Sequence, residues 1–302
     1  MGPIKVILNP IAGRGRGAKI EPEIRRFLKA EGLDFDLVRT ARPWHAAELA
    51  ERAAGDGFEI IVAAGGDGTT HEVVNGLMAA SGGGEAGTLG IIPVGSGSDF
   101  AYAVGMPLDP QKACHRLAHG QARVVDVGRV TLPGRDSRYF DNTVGVGFDG
   151  VVTVESRKVK RLRGIALYLP VVLKTIFLYY KAPLITIEYD GQELVLPALM
   201  ICVANGPREG GSFLIAPQAR PDDGLFDLCI AREVSRLAIL SLVPHFLKGT
   251  HVGRAPVTMA RARRVTISSP NDLIAHVDGE VLCTDGHRLE CEILPRRLRV
   301  WC

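Results

Sequence analysis

An apolar run followed at once by a glycine-rich loop is the feature that most constrains how this chain folds. Residues 60–64 read IIVAA, as expected of a strand buried in a parallel sheet, and residues 65–68 read Gly-Gly-Asp-Gly. Thr69 and Glu72 then have the spacing of a capping box, which predicts a helix from this point. A glycine loop entering a helix N-terminus binds phosphate oxygens, and a carboxylate such as Asp67 beside phosphates suits a divalent cation. The other interpretation is an ordinary strand–helix turn in which Asp67 caps the helix.

Two more polar loops follow predicted strands in the first third of the chain. The strand at 4–8 leads into Asn9 and a glycine-rich segment with two arginines, and the strand at 88–93 leads into Gly-Ser-Gly-Ser-Asp at 95–99. Parallel sheets bring such loops together at the carboxyl ends of their strands, where ligands bind. The first loop is not a Walker A motif, because no Gly-Lys-Ser/Thr closes it. A further strand is predicted at 35–39, and helices at 20–31, 43–55 and 113–120.

The second half of the chain changes to short strands separated by turns. They are predicted at 123–130, 139–146, 184–189, 194–204, 225–231, 264–268 and 274–277. This pattern predicts an α/β domain over residues 1–124 and a mostly antiparallel β domain over 125–302, with the last residues as candidates to return to the first domain. The G-x-G-x-x-G at 145–150 lies in the β-rich half without a βαβ unit, so we do not interpret it as a dinucleotide site.

Composition excludes several classes of protein. A net charge of +3 is too weak to indicate nucleic acid binding, and six scattered cysteines without C-x-x-C predict free thiols in a reducing compartment. The N-terminus runs straight into a strand, which argues against a signal peptide. Pro170 and Lys174 interrupt the apolar stretch at 165–180, which falls short of the ~20 residues of a membrane span. We therefore expect a cytoplasmic protein.

Two surface motifs have more than one interpretation. A basic run between Arg157 and Arg163, next to the apolar stretch, predicts either peripheral contact with an anionic membrane or a solvated helix end. His115 and His119 have the i, i+4 spacing of a zinc-binding pair. No acidic base or third ligand is evident near them in the sequence, so we interpret the pair as part of a solvated helix face.

The segment GGDGTTHEVVNGL at 65–77 resembles the nucleotide-binding signature of the diacylglycerol kinase/sphingosine kinase superfamily, in particular its soluble bacterial lipid kinases. NAD kinases and phosphofructokinases share the GGDG core but not the continuation. Further matches are an N-P-x-x-G loop at 9–13, the loop at 95–101, an N-G…P-x-A-x-x-D-D-G segment at 205–224, and D-G-E at 278–280. The resemblance implies an NAD kinase/phosphofructokinase-like α/β domain with a parallel sheet, and a C-terminal antiparallel β-sandwich domain. Ser98 departs from it, since asparagine is usual there.

The resemblance also implies roles for individual residues. At ATP it places Asn9, Pro10, Gly13, Thr40, Gly65, Gly66, Asp67, Gly68, Thr69, Glu72 and Ser96. At magnesium it places Asp223 with main-chain groups of Arg220 and Leu225, and we add Asp67 and Asp99 through water. As catalytic base it implies Glu280, with Asp278 beside it in the same motif. A carboxylate held near other acids would have a raised pKa and act as a better base.

These observations predict an ATP- and Mg²⁺-dependent kinase that transfers the γ-phosphoryl group to a lipid hydroxyl. The acceptor is open among diacylglycerol, monoacylglycerol, phosphatidylglycerol, ceramide and a sphingoid base. One alternative is an NAD kinase-like enzyme with a soluble acceptor. The other is a non-catalytic lipid- or nucleotide-binding regulator, motivated by Ser98 and His71, which are unusual at their positions. The sequence does not indicate the oligomeric state.

Overall fold

The computed structural model describes residues 2–159, 165–179 and 181–302. The chain divides into two compact units, one formed by Met1–Val127 with Pro295–Cys302 and the other by Gly128–Leu294. We refer to them as unit 1 and unit 2. Unit 1 is an α/β domain and unit 2 is rich in β-strands, as the sequence predicts.

Strands and helices alternate up to residue 93, and two helices then precede the next strand. They are β1 Ile4–Leu8, α1 Ala12–Ala30, β2 Phe35–Arg39, α2 His45–Gly55, β3 Ile60–Gly65, α3 Asp67–Ala80, β4 Thr88–Pro93, α4 Asp99–Ala103, α5 Pro110–His119 and β5 Ala122–Thr131. The rest of the chain comprises β6 Arg138–Phe140, β7 Thr143–Gly147, α6 Phe148–Ser156, α7 Ile165–Leu178, β8 Leu184–Tyr189, β9 Gln192–Ala204, β10 Phe226–Arg232, α8 Arg236–Lys248, β11 Val257–Ala262, β12 Arg264–Val277 and β13 Glu280–Trp301. Among the described residues, no helix is both long and apolar enough to cross a membrane.

The strands of unit 1 pair in the order β4-β3-β1-β2, and each of these pairs is parallel. β3 and β4 are buried along their whole length because helices cover apolar residues on both faces of such a sheet. The last part of β13 also belongs to unit 1, where Arg299 pairs with Thr88 of β4 in parallel. The chain therefore passes between the units inside two strands, β5 and β13.

Two local predictions in unit 1 are wrong. The capping box does not form, because the Glu72 carboxylate accepts the Ala46 N–H at the start of α2 (3.1 Å) and α3 begins at Asp67. The first helix also starts earlier than predicted, at Ala12. It is interrupted over 13–15, where Gly13, Arg14 and Gly15 have positive φ. Glycine adopts this left-handed conformation without the steric cost of a Cβ, which accounts for the two glycines here.

Unit 2 is mostly antiparallel, with β9 between β7 and β10 and with β12 against β7, β8 and β13. The inward side chains of these strands form an apolar cluster around Phe140 and Phe226, whose rings stack at 5.4 Å. The sequence prediction lacked α6, α8, β11 and β13, it merged β6 and β7 into one strand, and it divided β12 into two strands. The register shifts between Ser268 and Leu273 explain that division, since irregular pairing accommodates the polar residues there within one strand. All six cysteines are free, as predicted.

Candidate active site

The predicted nucleotide-binding loops begin at one edge of the sheet of unit 1. Leu8 of β1 pairs with Arg39 of β2 and with Ala64 of β3, and Gly65 pairs with Pro93 of β4. The segments that leave these parallel strands therefore start side by side. They carry the predicted residues Asn9, Pro10, Gly13, Thr40, Gly66, Asp67, Gly68, Thr69 and Ser96.

Hydrogen bonds join three of these loops to one another. Asn9 Nδ2 donates to Thr69 Oγ1 (3.0 Å), and the Asn9 side chain also holds its own loop by accepting the Ile11 N–H (3.1 Å). Asp67 Oδ2 accepts the Ser98 N–H (2.7 Å) and Oδ1 accepts the Asp99 N–H (2.6 Å). The acid in the GGDG loop thus fixes the backbone of the serine-rich loop instead of capping its own helix.

The close approach of two backbones explains the glycines at this junction. A Cβ on Gly95 would lie 2.4 Å from the Cα of Gly66, and one on Gly65 would lie 2.3 Å from Thr69 Oγ1. Gly13 has φ +53, and a Cβ there would meet the Val94 carbonyl oxygen at 2.6 Å. The three loops can pack this tightly only because these positions lack side chains.

Asp67 and Asp99 concentrate negative charge at the same place. Burial, together with the neighbouring Asp99, raises the pKa of Asp67 to about 7, although three backbone amides act in the opposite direction. Two carboxylates whose repulsion is relieved by a cation are a suitable donor set for a hydrated Mg²⁺ ion. The residues present here therefore fit the divalent metal that an ATP-dependent kinase uses.

The remaining residues of the predicted nucleotide loops differ from one another in burial and in hydrogen bonding. The side chain of Ser96 is exposed, and Thr40 is half-buried with its N–H bonded to the Leu8 carbonyl (2.9 Å). Glu72 lies one turn into α3, where it caps α2 through Ala46. Ser98 is buried with φ +55, a left-handed conformation that asparagine adopts more readily than serine.

In unit 2, the D-G-E motif forms a tight hairpin between β12 and β13. Asp278 and Gly279 both have positive φ (47° and 76°), and Val277 pairs with Glu280 across the turn, as in a type I′ hairpin. Oδ1 of Asp278 accepts the N–H groups of Asn142 (3.1 Å) and Thr143 (2.9 Å), while Oδ2 accepts that of Asp141 (3.2 Å). In this structure the buried carboxylate of Asp278 is engaged by backbone amides that hold the turn, and its predicted catalytic role stays a prediction.

Glu280 is accessible. Its side chain is 43% exposed and forms an ion pair with Arg157, at the end of α6. The charged group that contacts Glu280 in this structure is thus a guanidinium and not a neighbouring acid. Arg157 also belongs to the predicted basic run, and so does Lys158, which pairs with Glu155. Lys160, Arg161 and Arg163 lie outside the described residues.

Sequence reasoning missed a buried polar cluster behind this turn. His276 Nε2 lies 3.0 Å from Asp149 Oδ2 and 2.8 Å from Glu209 Oε1, and its Nδ1 accepts the Gly279 N–H (3.3 Å). Burial, followed by the charge of Asp149, raises the pKa of Glu209 to about 7. Burial lowers the pKa of His276, but the charges of Glu209 and Asp149 outweigh it and raise that pKa well above its usual value. The three residues are distant in the sequence, although each lies in or beside a motif quoted above: Asp149 in the G-x-G-x-x-G at 145–150, Glu209 in the segment at 205–224, and His276 next to D-G-E.

The residues of the metal site predicted at Asp223 make protein contacts in this structure. Asp223 pairs with Arg261 through Oδ2 and accepts the Leu225 N–H through Oδ1 (3.2 Å). Arg220 lies against Asp222, with Nε 3.5 Å from a carboxylate oxygen. The magnesium site predicted at Asp223, with main-chain groups of Arg220 and Leu225, therefore stays a prediction, and it requires that Arg261 move away from the Asp223 carboxylate when an ion binds.

Comparison with known proteins agrees with this architecture. Residues 3–130 match the family described as "Diacylglycerol kinase catalytic domain", and residues 142–302 match the "YegS C-terminal NAD kinase beta sandwich-like domain". The chain is 31% identical over 279 residues to a diacylglycerol kinase of Bacillus subtilis, covering 91% of this chain and 89% of that protein.

Solved structures share the fold at lower identity. A crystal structure of a diacylglycerol kinase from Bacillus anthracis has a TM-score of 0.75 at 23% identity, covering 99% of this chain and 96% of that one. A yeast NADH kinase complexed with NADH has a TM-score of 0.50 at 10% identity, covering 98% and 82%.

The fold and the joined glycine loops define a kinase with an α/β domain and a β-rich domain. More specifically, the chain belongs to the diacylglycerol kinase family of lipid kinases, within the superfamily that includes the sphingosine kinases, as its motifs predict.

Proposed function

We propose that this protein transfers the γ-phosphoryl group of ATP to the hydroxyl of a lipid, with diacylglycerol as the first candidate acceptor. The observation that carries the proposal is the joining of the three loops by Asn9 and Asp67. It supports one phosphate-binding surface in unit 1. The acceptor is inferred from the relatives, which bear the name diacylglycerol kinase.

The proposed division of labour follows the predicted domains, with ATP bound by residues 1–124 and the lipid by residues 125–302. Backbone N–H groups of the glycine loops would receive phosphate oxygens, and Ser96 would add a hydroxyl. Asp67 and Asp99 would hold Mg²⁺ through water, and the ion would neutralise phosphate charge when bound. Peripheral contact with an anionic membrane through the basic run stays part of this proposal.

We propose Glu280 as the general base that accepts the proton of the lipid hydroxyl. It is the exposed carboxylate of the D-G-E hairpin, whereas Asp278 positions the turn through three amides. Arg157 occupies the Glu280 carboxylate in this structure, so the proposed role requires that the guanidinium move aside when a lipid hydroxyl approaches.

The test is phosphate transfer from γ-labelled ATP with Mg²⁺, using mixed micelles that each carry one candidate lipid, and NAD as a separate soluble acceptor. Wild type is compared with Glu280→Gln and with Glu290→Gln. Glu290 is a matched control, since it is an exposed carboxylate of the same strand that pairs with an arginine, Arg288 (2.9 Å).

We expect a labelled lipid with wild type and Glu290→Gln, and a loss of turnover of roughly 10²–10⁴-fold with Glu280→Gln. The productive micelle identifies the acceptor. Label on NAD would overturn the lipid assignment in favour of a soluble acceptor. Full activity of Glu280→Gln would overturn the base. ATP binding without transfer to any acceptor would favour the regulatory alternative.

A further inference from the structure

The histidine pair on α5, interpreted above as a solvated helix face, has a third polar partner in the folded chain. The Glu31 carboxylate, at the end of α1, lies between the two imidazoles. His115 Nδ1 is 3.1 and 3.2 Å from its two oxygens, and His119 Nε2 is 3.1 Å from Oε2. The three side chains come from two different helices, so their meeting is not visible in the sequence.

The spacing of these atoms suits a small metal ion. All three ligand atoms lie within 4.8 Å of one another, and the two rings are 4.5 Å apart. Four ligands at about 2.1 Å around a tetrahedral Zn²⁺ ion are separated by about 3.4 Å, close to the distances found here. Two imidazoles and one carboxylate are a common donor set for zinc with an open position for water.

The local electrostatics also favour a cation. Glu31 is the C-cap of α1, and both histidines lie in the last turns of α5, so two helix C-termini, each carrying partial negative charge, meet at this point. A carboxylate at such a position is unfavourable unless a positive charge compensates it.

The cluster is accessible, and the neighbouring cysteine does not complete it. His115 and His119 are 64% and 60% exposed, so an ion can enter from solvent and keep water as its fourth ligand. Cys114 is adjacent in sequence but buried. Burial raises the pKa of its thiol to about 12, and a thiol is a poor ligand.

We propose that Glu31, His115 and His119 form a binding site for Zn²⁺ or a related transition-metal ion, separate from the magnesium used with ATP. Imidazole ligands select zinc, cobalt and nickel over magnesium, so the two metals would not compete for the same residues. A bound ion would join the end of α1 to α5 and thereby stabilise unit 1. The proposal does not depend on the acceptor lipid.

The test is titration of the metal-free full-length protein with Zn²⁺ by calorimetry in excess Mg²⁺, with Co²⁺ and its visible absorption as a second probe. Thermal unfolding is recorded with and without Zn²⁺. The variants are Glu31→Gln, His115→Gln and His119→Gln. His287→Gln is the matched control, because His287 is an exposed histidine that faces a single carboxylate, Asp272 at 3.5 Å.

We expect one tight equivalent of Zn²⁺, a tetrahedral Co²⁺ spectrum and a Zn²⁺-dependent rise in melting temperature in wild type and in His287→Gln. Each of the three site variants should bind Zn²⁺ roughly tenfold more weakly or worse, since removal of even an indirect partner costs that much. Their melting temperatures without metal should stay near that of wild type, which shows that they fold. Zn²⁺ binding that survives in all three variants, or no stoichiometric binding by wild type, would overturn the site.

Discussion

Asp278 gives the sharpest test of how the catalytic hairpin is held. Asp278→Ala removes the acceptor of three backbone N–H groups inside unit 2 and places alanine at φ 47°. Each buried donor left unsatisfied costs about 1–3 kcal/mol, partly recovered where water enters, and the left-handed conformation adds about 1–2 kcal/mol for alanine. We expect a loss of roughly 3–5 kcal/mol in the free energy of unfolding.

Asp278→Asn should reduce the free energy of unfolding much less than Asp278→Ala, because the asparagine oxygen can replace one carboxylate oxygen. Two of the three amides bond to Oδ1, which an asparagine oxygen can replace, and only the Asp141 N–H would face the new NH₂ group. Asparagine also tolerates the left-handed turn. The expected loss is about 1–2 kcal/mol.

The assay is urea unfolding followed by far-UV circular dichroism, with phosphate transfer measured in parallel. Tryptophan emission alone would not serve, because Trp44 and Trp301 both lie in unit 1. Asp285→Ala is the control, because Asp285 is an exposed aspartate of β13 that pairs with Arg135 (2.7 Å). This substitution should barely change the free energy of unfolding. Equal destabilisation by Ala and Asn would refute the account of the two oxygens. A stable Asp278→Asn protein without activity would refute the positioning role and restore Asp278 as a catalytic group.

Two further predictions concern the glycine junction and a buried acid. Gly95→Ala should destabilise unit 1 by about 1–3 kcal/mol and raise KM for ATP, because the new Cβ would overlap the Gly66 backbone. Gly55 is the control, since it is an exposed glycine with open space at the end of α2, and Gly55→Ala should be neutral or stabilising. Equal effects of the two substitutions in calorimetry and kinetics would contradict this account. Glu155 is held by Lys158 and Lys174, and hydrogen bonds from these lysines lower its pKa. The ionised Glu155 should contribute about 1–2 kcal/mol to the free energy of unfolding above pH 4.5. This contribution should be lost as the pH falls through the lowered pKa of the folded protein, so the urea unfolding curves of wild type and Glu155→Gln should converge in acid. A difference in unfolding free energy between wild type and Glu155→Gln that persists below the pKa of Glu155 in both the folded and the unfolded state would exclude the ion pairs as its cause.

Local sequence signals were sufficient where an element and its loop are determined by neighbouring residues. The strand before Gly65 and the glycine loop after it were predicted from the order of neighbouring residues. In each case an apolar run or a positive-φ position is specified by residues in direct succession.

Predictions failed where a distant residue decided the outcome. Glu72 had the spacing of a capping box, but its carboxylate accepts the N–H of Ala46, which lies in a different helix, α2. β13 contains Gly286 and Pro295, which are both sequence signals for turns. It is nevertheless a strand, because β12 pairs with residues between Glu280 and Glu292 and β4 pairs with Arg299 and Val300. Glu31 was absent from the interpretation of the histidine pair for the same reason, since 84 residues separate it from His115.

The passage of β13 between the two units has a consequence for biosynthesis. The partners of residues 295–302 are made early: Arg299 pairs with Thr88, Trp301 Nε1 donates to the Leu117 carbonyl (3.0 Å), and Gln121 and Cys302 exchange backbone hydrogen bonds (3.1 Å). A ribosome must therefore translate all of unit 2 before unit 1 can complete its sheet, a delay of roughly 10–30 s at about 5–20 residues per second. Throughout that interval the nascent chain exposes the unpaired edge of β4, which makes this edge the surface that a ribosome-associated chaperone would need to shield.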